Sequence, residues 1–392
     1  MITSAAAGSF AGLPRERYIT QAWFDREMGA IHHRNWLYGC HLSELAAPGD
    51  FVIRRVAPYD ELILVHAANG AINAFFNVCR HRGSKICIQP SGHVTRFRCP
   101  YHSWTYDLDG RLLGSQGKAF PEPPPREGVS LIPAVTEVWR GHIFFALGPD
   151  RPLAISPQLD ASAPDIGLFT PERTKVAAKK HYQIHANWKL VMQNFWECYH
   201  CPSGHPEFCF AADVDALYNS DFGEVSAANA AVPPVVEGPL PLKAGMDSLT
   251  MDGRPVCRRP LGSFGLPDVS AVTSPRTAGI ILRYSTALTY FADYGICLDF
   301  QPISIDQTRL VTRWFVDEDA QEGLDYRVPE LMQLWDITNE QDGVFAELNH
   351  AGVMSTRYVP GPHSLRLEPG ILGFLQFCEQ EIGRSNGGPA AR

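Results

Sequence analysis

Two short segments each bring one cysteine and one histidine close together. Cys79 and His81 are separated by one residue, and Cys99 and His102 are separated by two. Such a set forms a structural zinc site when all four ligands bind one ion. It forms a two-iron cluster when two thiolates bind one iron and two imidazoles bind the other. Because each segment supplies one ligand of each kind, the spacing favours the two-iron cluster, and zinc is the alternative.

A second set of metal-binding residue types follows further along the chain. Asn194, Glu197 and His200 stand at intervals of three, and His205 comes after them. On a helix these three would share one side, opposite an apolar stripe. A proline and a glycine then end the helix, which lets His205 fold back beside His200. Two imidazoles and one carboxylate form the facial triad of non-haem Fe(II), with open positions for O₂ and substrate.

The elements that must position these residues fall into two regions. Short β-branched and aromatic runs with turn signals between them occupy residues 51–147 and predict a small antiparallel β-domain. Beyond residue 152 the chain mixes predicted strands with predicted helices, among them 188–200 and 329–352. This order predicts an α+β fold. We expect an N-terminal helical segment at 1–45 that packs with the catalytic domain, the β-domain at 46–152 and the catalytic domain at 153–392.

Composition excludes several other classes of protein. The chain has 392 residues, 45% hydrophobic and 19% charged, with a net charge of −8. These values argue against general disorder and against nucleic-acid binding. No apolar run is long enough for a transmembrane helix and no secretory signal is evident, so we expect a cytoplasmic protein with no membrane partner. The ten cysteines are irregularly spaced, and we expect Cys198 and Cys201 to be reduced packing residues.

The residues around the first ligand set resemble a known family. Residues 77–110 resemble the Rieske domain of the ring-hydroxylating oxygenases, including Arg82-Gly83 and Ser103-Trp104 after the two histidines. The resemblance implies a [2Fe–2S] cluster. It assigns Cys79 and Cys99 to one iron, and His81 and His102 to the other.

The second ligand set resembles the catalytic domain of the same family, whose pattern is Asn-Trp-Lys followed by Asn-x-x-[Asp/Glu]-x-x-His-x₄-His-Pro. By this resemblance His200 and His205 bind the mononuclear iron. Glu197 is the carboxylate that links the iron to a cluster histidine of the neighbouring subunit, and Asn194 belongs to the same catalytic motif. The third ligand must be a distant carboxylate, and the candidates in the C-terminal helix are Asp336, Glu340, Asp342 and Glu347. The resemblance favours Asp342, with Glu340 second.

The family resemblance also implies the architecture and the partners. The expected architecture is a Rieske antiparallel β-domain followed by a helix-grip-like catalytic domain with an antiparallel sheet flanked by helices. The expected assembly is a head-to-tail homotrimer. Electrons would come from NAD(P)H through a separate flavin and iron–sulfur reductase, because this chain has no Gly-rich dinucleotide-binding motif. The other reactants are O₂ and a small-molecule substrate.

Finer features resemble the oxygenases that act on quaternary ammonium compounds such as glycine betaine, proline betaine and carnitine. They are the glutamate at position 197 and the segments 251–256 and 358–362. Hydroxylation of an N-methyl group gives a hemiaminal that loses formaldehyde, so this resemblance implies demethylation. A methylammonium group favours a cage of aromatic rings. The predicted cage residues are Phe264, Tyr284, Tyr290, Phe291 and Tyr294. The alternative is a ring hydroxylase with an apolar pocket for an aromatic acid.

Overall fold

The computed structural model describes residues 8–115, 128–148, 153–219, 232–262 and 277–387. The chain divides into two units, one formed by residues 33–156 and one that combines residues up to 32 with those from 157 onward. The prediction grouped residues 33–45 with the N-terminal helical segment, whereas here they belong to the first unit. The reason is a buried strand at Leu37–His41. A short, continuously buried run carries no alternation that distinguishes it from a helix.

The chain as a whole combines helices and strands, in agreement with the predicted α+β class. In chain order the elements up to residue 148 are β1 (Ser9–Ala11), α1 (Glu16–Ile19), α2 (Gln21–Glu27), β2 (Leu37–His41), β3 (Asp50–Val56), β4 (Asp60–His66), β5 (Ile72–Phe76), β6 (Ser91–His93), β7 (Phe97–Arg98), β8 (Thr105–Tyr106), β9 (Leu112–Gly114), β10 (Pro133–Trp139) and β11 (His142–Ala146). The later elements are α3 (Ile155–Ser162), β12 (Thr174–Ile184), α4 (Trp188–Phe195), α5 (Cys201–Gly204), α6 (Phe208–Ala211), α7 (Val214–Asn219), β13 (Val235–Glu237), β14 (Thr277–Leu282), β15 (Thr286–Phe291), β16 (Gly295–Ser304), β17 (Gln307–Asp317), α8 (Val328–Val353), β18 (Pro362–Ser364) and α9 (Pro369–Gly387).

The unit of residues 33–156 is built from antiparallel strands. Its described residues form a seven-stranded sheet in the order β2-β11-β10-β5-β4-β3-β6 and a three-stranded sheet in the order β7-β8-β9. Its core contains aromatic and aliphatic residues from both sheets, including Phe51, Phe97 and Trp104. Cys79 and Cys99 are part of the same core. The two thiols are therefore held by packing at the ends of rigid strands.

The other unit is organised around a six-stranded antiparallel sheet, in the order β12-β17-β16-β15-β14-β13 among the described residues. The long helix α8 packs on β12 and on α4, and α4 also contacts β16 and β17. Asn187 caps α4 because its side chain accepts a hydrogen bond from the backbone N–H of Lys189 at 3.0 Å. This arrangement places the end of α4 and the middle of α8 over the sheet.

A buried charge cluster ties the N-terminal helices to the sheet-containing part of this unit. The Glu27 carboxylate accepts hydrogen bonds from Lys189 Nζ at 2.6 Å and from Trp188 Nε1 at 3.2 Å. Arg17 lies 3.6 Å from Glu27 and 2.6 Å from Glu379. Because Glu27 and Lys189 are fully buried, each charge depends on the other for its stability.

None of the described helices is both long enough and apolar enough to cross a lipid bilayer.

Candidate metal centres

The two cysteine–histidine segments form loops with the same backbone hydrogen bonds. In the first loop the N–H of Gly83 donates to the carbonyl of Cys79 at 2.9 Å, and the N–H of Cys79 donates to Ser84 at 2.8 Å. In the second loop Ser103 donates to Cys99 at 3.0 Å, and Cys99 donates to Trp104 at 2.8 Å. The residue four positions after each cysteine has a positive φ, 76° at Gly83 and 56° at Ser103. The two loops therefore present their ligands from equivalent turns.

The side chains of these loops converge on one place. The imidazole rings of His81 and His102 lie 4.7 Å apart between centroids, and the indole of Trp104 stacks on His81 at 4.9 Å. The thiols of Cys79 and Cys99 contact each other. Nδ1 of His102 is buried and makes no hydrogen bond. A buried imidazole nitrogen without a partner costs free energy unless it binds something, so this donor set fits a [2Fe–2S] cluster.

The hydroxyl of Tyr106 supports this site from the neighbouring strand β8. It lies 3.4 Å from Cys79 Sγ and accepts a hydrogen bond from the backbone N–H of Arg80 at 3.1 Å. Because the hydroxyl accepts from Arg80, its own proton is available to Cys79. The tyrosine is fully buried, so the hydrogen bond to sulfur is protected from water.

The second centre brings together two histidines and one aspartate from distant parts of the chain. Nε2 of His205 lies 3.0 Å from Nε2 of His200 and 2.9 Å from Oδ1 of Asp342, and His200 Nε2 lies 3.2 Å from the same oxygen. Ligand atoms about 2.1 Å from one ion are about 3.0 Å apart when the bonds meet at right angles and about 3.4 Å apart in a tetrahedron. The observed spacings fit the facial arrangement that leaves positions open on an octahedral ion.

Neighbouring side chains hold each of the three groups in place. Oε1 of Glu197 lies 2.6 Å from His200 Nδ1, and Oε1 of Gln341 lies 2.7 Å from Nδ1 of His205. Asn194 donates from Nδ2 to Asp342 Oδ1 at 2.6 Å. In each histidine an acceptor at Nδ1 fixes the proton there and leaves Nε2 free to bind a metal ion.

The electrostatics of the site follow from these contacts. Burial alone would lower the pKa of His200, but hydrogen bonds to Asp342 and Glu197 outweigh it and raise the pKa to about 9. Burial would raise the pKa of Asp342, but the two histidines lower it to about 2. Without a metal ion, the His200 imidazole therefore carries a positive charge at neutral pH. A divalent cation must displace that charge to bind.

Glu197 and His200 do not lie on a helix face with Asn194, and the prediction that they would is wrong. Helix α4 ends at Phe195, and both residues lie in the turn that precedes α5. The Glu197 carboxylate accepts from the backbone N–H of Tyr199 and, at 3.2 Å, from that of His200. A side chain that binds nearby backbone N–H groups competes with helical hydrogen bonds. The turn, rather than a helix, brings the motif together.

Of the four candidate carboxylates, Asp342 is the one that meets the histidines. Asp336 and Glu340 bind Lys180 instead, the latter at 3.0 Å. The carboxylate of Glu347 accepts from the backbone N–H of His185 at 2.8 Å. The positions of these residues on α8 explain why only Asp342 reaches the histidines. Residues 336 and 340 face Lys180 of β12, and residue 347 faces His185 directly after that strand.

Cys198 and Cys201 form a disulfide with a Cα–Cα distance of 4.9 Å. We expected them to be reduced packing residues, and this expectation is wrong for the described structure. The bond spans His200 and closes the turn that carries it. Sequence spacing alone gave no reason to pair them, because two cysteines three residues apart also pack separately in many turns.

An apolar cavity of about 130 Å³ adjoins the triad, and His200, His205 and Asp342 line it. Its sheet side is formed by alternate residues of the strands, such as Ile296, Leu298 and Phe300 of β16, because every second side chain of a strand faces the same way. Aromatic rings form much of the remaining wall. The aromatic lining residues are Phe195, Trp196, Phe208, Phe300 and Trp335.

None of the four predicted cage residues within the described chain lines this cavity. Tyr290 follows Thr289, which does line it, and so points to the opposite side of β15. Phe291 stacks on Tyr294 at 4.7 Å, and Tyr284 stacks on Phe377 at 5.4 Å. These rings are core residues. The fifth, Phe264, lies outside the described residues.

The aromatic residues that do line the cavity are not among the predicted cage residues. Phe195 and Trp196 lie between Asn194 and Glu197, and on a continuous helix they would belong to the apolar stripe opposite those residues. Trp335 lies seven residues before Asp342 on α8, so the same helix supplies a ring and a candidate ligand. Residues seven positions apart are separated by two helical turns and lie on one face of the helix. The spacing of Trp335 and Asp342 therefore indicates an aromatic ring beside the candidate ligand.

Comparison with known proteins gives consistent matches for both units. A family described as the Rieske [2Fe-2S] domain matches residues 35–123, and one described as the ring hydroxylating alpha subunit (catalytic domain) matches residues 171–383. The glycine betaine monooxygenase oxygenase subunit of Pseudomonas aeruginosa (strain PAO1) is 33% identical over 390 residues, which cover 94% of this chain and 89% of that protein.

Two further similarities are more distant or partial. The N,N-dimethyl phenylurea N-demethylase subunit alpha of Sphingobium sp. is 34% identical over 205 residues, covering 49% of this chain and 43% of that protein. The crystal structure of the quaternary ammonium Rieske monooxygenase CntA in complex with its substrate L-carnitine superposes with a TM-score of 0.70 at 19% identity, and covers 97% of each chain. At this identity the structural match shows a shared fold.

Proposed function

The chain belongs to the Rieske non-haem iron oxygenases, as its sequence predicts, and we propose that it hydroxylates an N-methyl group of a small quaternary or methylated amine, with release of formaldehyde. Its cofactors are a Rieske [2Fe–2S] cluster and a mononuclear iron, and a separate reductase supplies electrons. The observation that carries the proposal is the aromatic wall of the cavity beside the triad. Relatives named for glycine betaine oxygenation and N-demethylation support it.

Within the proposal, Cys79, His81, Cys99 and His102 hold the cluster. His200, His205 and Asp342 hold the iron, which when bound activates O₂ with electrons received through the cluster. A matched pair of substitutions on α8 tests the third ligand. We expect Asp342→Asn to abolish iron retention and Glu340→Gln to leave it within about twofold, because Glu340 binds Lys180. Equal iron content in the two purified variants would contradict the assignment.

The protein groups around the iron ligands prepare the site for this chemistry. Glu197 and Gln341 fix the tautomers of the two histidines, and Asn194 holds the Asp342 oxygen that faces them. The apolar wall excludes water from the space beside the ligands. Aromatic faces attract a methylammonium cation by cation–π interaction, which would place an N-methyl carbon in the cavity beside His200, His205 and Asp342. The hydroxylated methyl group then leaves as formaldehyde when the C–N bond breaks.

The proposal includes a cytoplasmic head-to-tail homotrimer in which Glu197 links the iron site to a cluster histidine of the neighbouring subunit. Its support is the family resemblance and the place of Glu197 against His200 Nδ1. A heterologous interface closes into a ring when each subunit is rotated by a third of a turn. Light scattering should give a mass of about 130 kDa, three times the 43.4 kDa of one chain. A monomeric, fully active enzyme would contradict the trimer.

The substrate class is tested by a panel of methylated amines and aromatic acids. The holoenzyme with a reductase and NADH is assayed for O₂ uptake, formaldehyde and hydroxylated product. We expect formaldehyde in proportion to O₂ consumed with glycine betaine, carnitine or related methylamines. Hydroxylation of an aromatic acid without formaldehyde from any amine would instead support the alternative, an aromatic-ring hydroxylase.

A further inference from the structure

The disulfide between Cys198 and Cys201 is an exception among the cysteines of this chain. The other eight cysteines are free, including Cys79 and Cys99 of the proposed cluster. Cys198 and Cys201 both line the cavity beside the iron ligands, and the described lining residues include no other cysteine and no methionine. The oxidised pair therefore supplies the sulfur atoms that face the site where an oxygenase uses O₂.

The backbone of this pair is joined directly to both histidines of the triad. His200 stands between the two cysteines in the chain, and the N–H of Cys201 donates to the carbonyl of Cys198 at 3.1 Å. The carbonyl of Cys201 in turn accepts a hydrogen bond from the N–H of His205 at 2.9 Å. A small reactive molecule formed beside these histidines can therefore meet the two sulfur atoms without leaving the cavity.

The two cysteines differ in exposure, as expected for a pair that is oxidised in two steps. Cys198 is half-buried, whereas Cys201 is 4% exposed. The more accessible thiol of such a pair reacts first with peroxide to give a sulfenic acid, and the second thiol then condenses with it to a disulfide. The Cα–Cα distance of 4.9 Å lies in the range that a disulfide bridges. Disulfide formation also prevents further, irreversible oxidation of the first sulfur.

We propose that Cys198 and Cys201, in their reduced state, consume hydrogen peroxide formed in the cavity and thereby protect the iron ligands. O₂ becomes hydrogen peroxide when it takes up two electrons and two protons and no substrate is hydroxylated. The Cys198 sulfur attacks one peroxide oxygen, the O–O bond breaks, and the other oxygen leaves as water. The Cys201 sulfur then displaces the remaining oxygen from Cys198 as a second water, and the S–S bond forms.

In this reaction two thiols are oxidised to one disulfide, and one peroxide is reduced to two waters. A dithiol reductant returns the pair to its reduced state by thiol–disulfide exchange. The structure thus describes the oxidised state of the pair. The inference rests on the O₂ chemistry of the proposed function and is independent of which amine is the substrate.

The test counts thiols after turnover. The holoenzyme is reduced with dithiothreitol, freed of it without oxygen, and then supplied with a reductase, NADH, O₂ and glycine betaine. The peroxide formed equals the O₂ consumed minus the formaldehyde released. Free thiols, counted by alkylation after denaturation, should fall from ten to eight per chain, and the first equivalent of peroxide per chain should be missing from solution. Thiol loss spread evenly over the ten cysteines would overturn the proposal.

Two serine variants show whether the pair is responsible. Cys198→Ser should release peroxide into solution from the start, and its activity should decline after fewer turnovers than that of the wild type, each relative to its own initial rate. The matched control is Cys209→Ser, because Cys209 is free, half-buried and not among the lining residues. It should retain the wild-type peroxide consumption and lifetime. Equal peroxide release and equal lifetime in all three proteins would contradict the protective role.

A direct addition of peroxide separates this inference from the proposed function. Hydrogen peroxide is added at one equivalent per chain to the reduced holoenzyme without O₂, reductase or amine. Selective formation of the bond between Cys198 and Cys201 would support the dithiol even if no amine were demethylated. A disulfide that dithiothreitol cannot open in the folded protein would be a permanent structural bond and would overturn the inference, whereas formaldehyde release from glycine betaine would still support the proposed function.

Discussion

Glu197 has two separable roles, and two substitutions distinguish them. Its Oε1 holds His200 Nδ1 at 2.6 Å, and its Oε2 accepts backbone N–H groups of the turn that carries His200. Glu197→Ala removes all of these contacts, so the histidine and its turn lose their anchor. Loss of such a partner lowers metal affinity by about 10–100-fold, equivalent to about 1.4–2.7 kcal/mol. Glu197→Gln keeps an oxygen for the Nδ1 proton, and we expect iron affinity to fall by less than about tenfold.

The effect of Glu197→Gln on turnover should be larger than its effect on iron affinity. If Glu197 also links the iron site to a cluster histidine of the neighbouring subunit, Glu197→Gln loses most of its turnover although it retains iron. Iron affinity is measured by competition with a chromophoric chelator. Electron transfer is measured by the rate at which the reduced cluster reoxidises after mixing with O₂ and substrate.

The control is Ser203→Ala, which removes an exposed hydroxyl from the same loop, where it donates to the His200 carbonyl at 3.1 Å. It should leave both measurements close to wild type. Wild-type iron affinity in Glu197→Ala would refute the anchoring role. Normal turnover in Glu197→Gln would refute the link between subunits.

Three further predictions concern stability, reduction potential and pH. Lys189→Met leaves the Glu27 carboxylate buried without its lysine and should lower the free energy of unfolding in urea by about 3 kcal/mol. This is the lower end of the range for a broken buried pair, because Arg17 lies 3.6 Å from Glu27. Adding Glu27→Gln should recover part of the loss, and a second loss of equal size would show that the two charges are independent. Tyr106→Phe removes a hydrogen bond to the Cys79 sulfur worth about 0.5–1.5 kcal/mol. The reduction potential of the cluster should therefore fall by about 20–65 mV in a redox titration followed by absorbance. An unchanged potential would mean that the hydroxyl does not donate to sulfur. The pKa of His200 near 9 in the metal-free protein means that a proton competes with the metal below that pH. The apparent Co(II) affinity should therefore rise about tenfold from pH 7 to 8 and about fivefold from pH 8 to 9. An affinity that is level over this range would place the pKa near its ordinary value.

Local spacing was sufficient to predict that the proposed cluster ligands would converge, and likewise the two histidines of the second centre. Cys79 and His81, like Cys99 and His102, lie in single turns, so residue types a few positions apart already determine what each turn can bind. The same is true of His200 and His205, although the expected helix through Glu197 was replaced by a turn. The motifs are short because a metal ion collects ligands from one loop at little entropic cost.

The amino-acid sequence by itself determined the metal chemistry, the two kinds of centre and the family. Only the tertiary structure decided which distant groups complete the site. It places Asp342, which the family resemblance already favoured, against the two histidines, whereas α8 turns the other three acidic residues toward Lys180 and the end of β12. It also shows that Tyr284, Tyr290 and Tyr294 are core residues and that other aromatic residues line the cavity. The side of a strand that faces a cavity depends on what packs against the sheet.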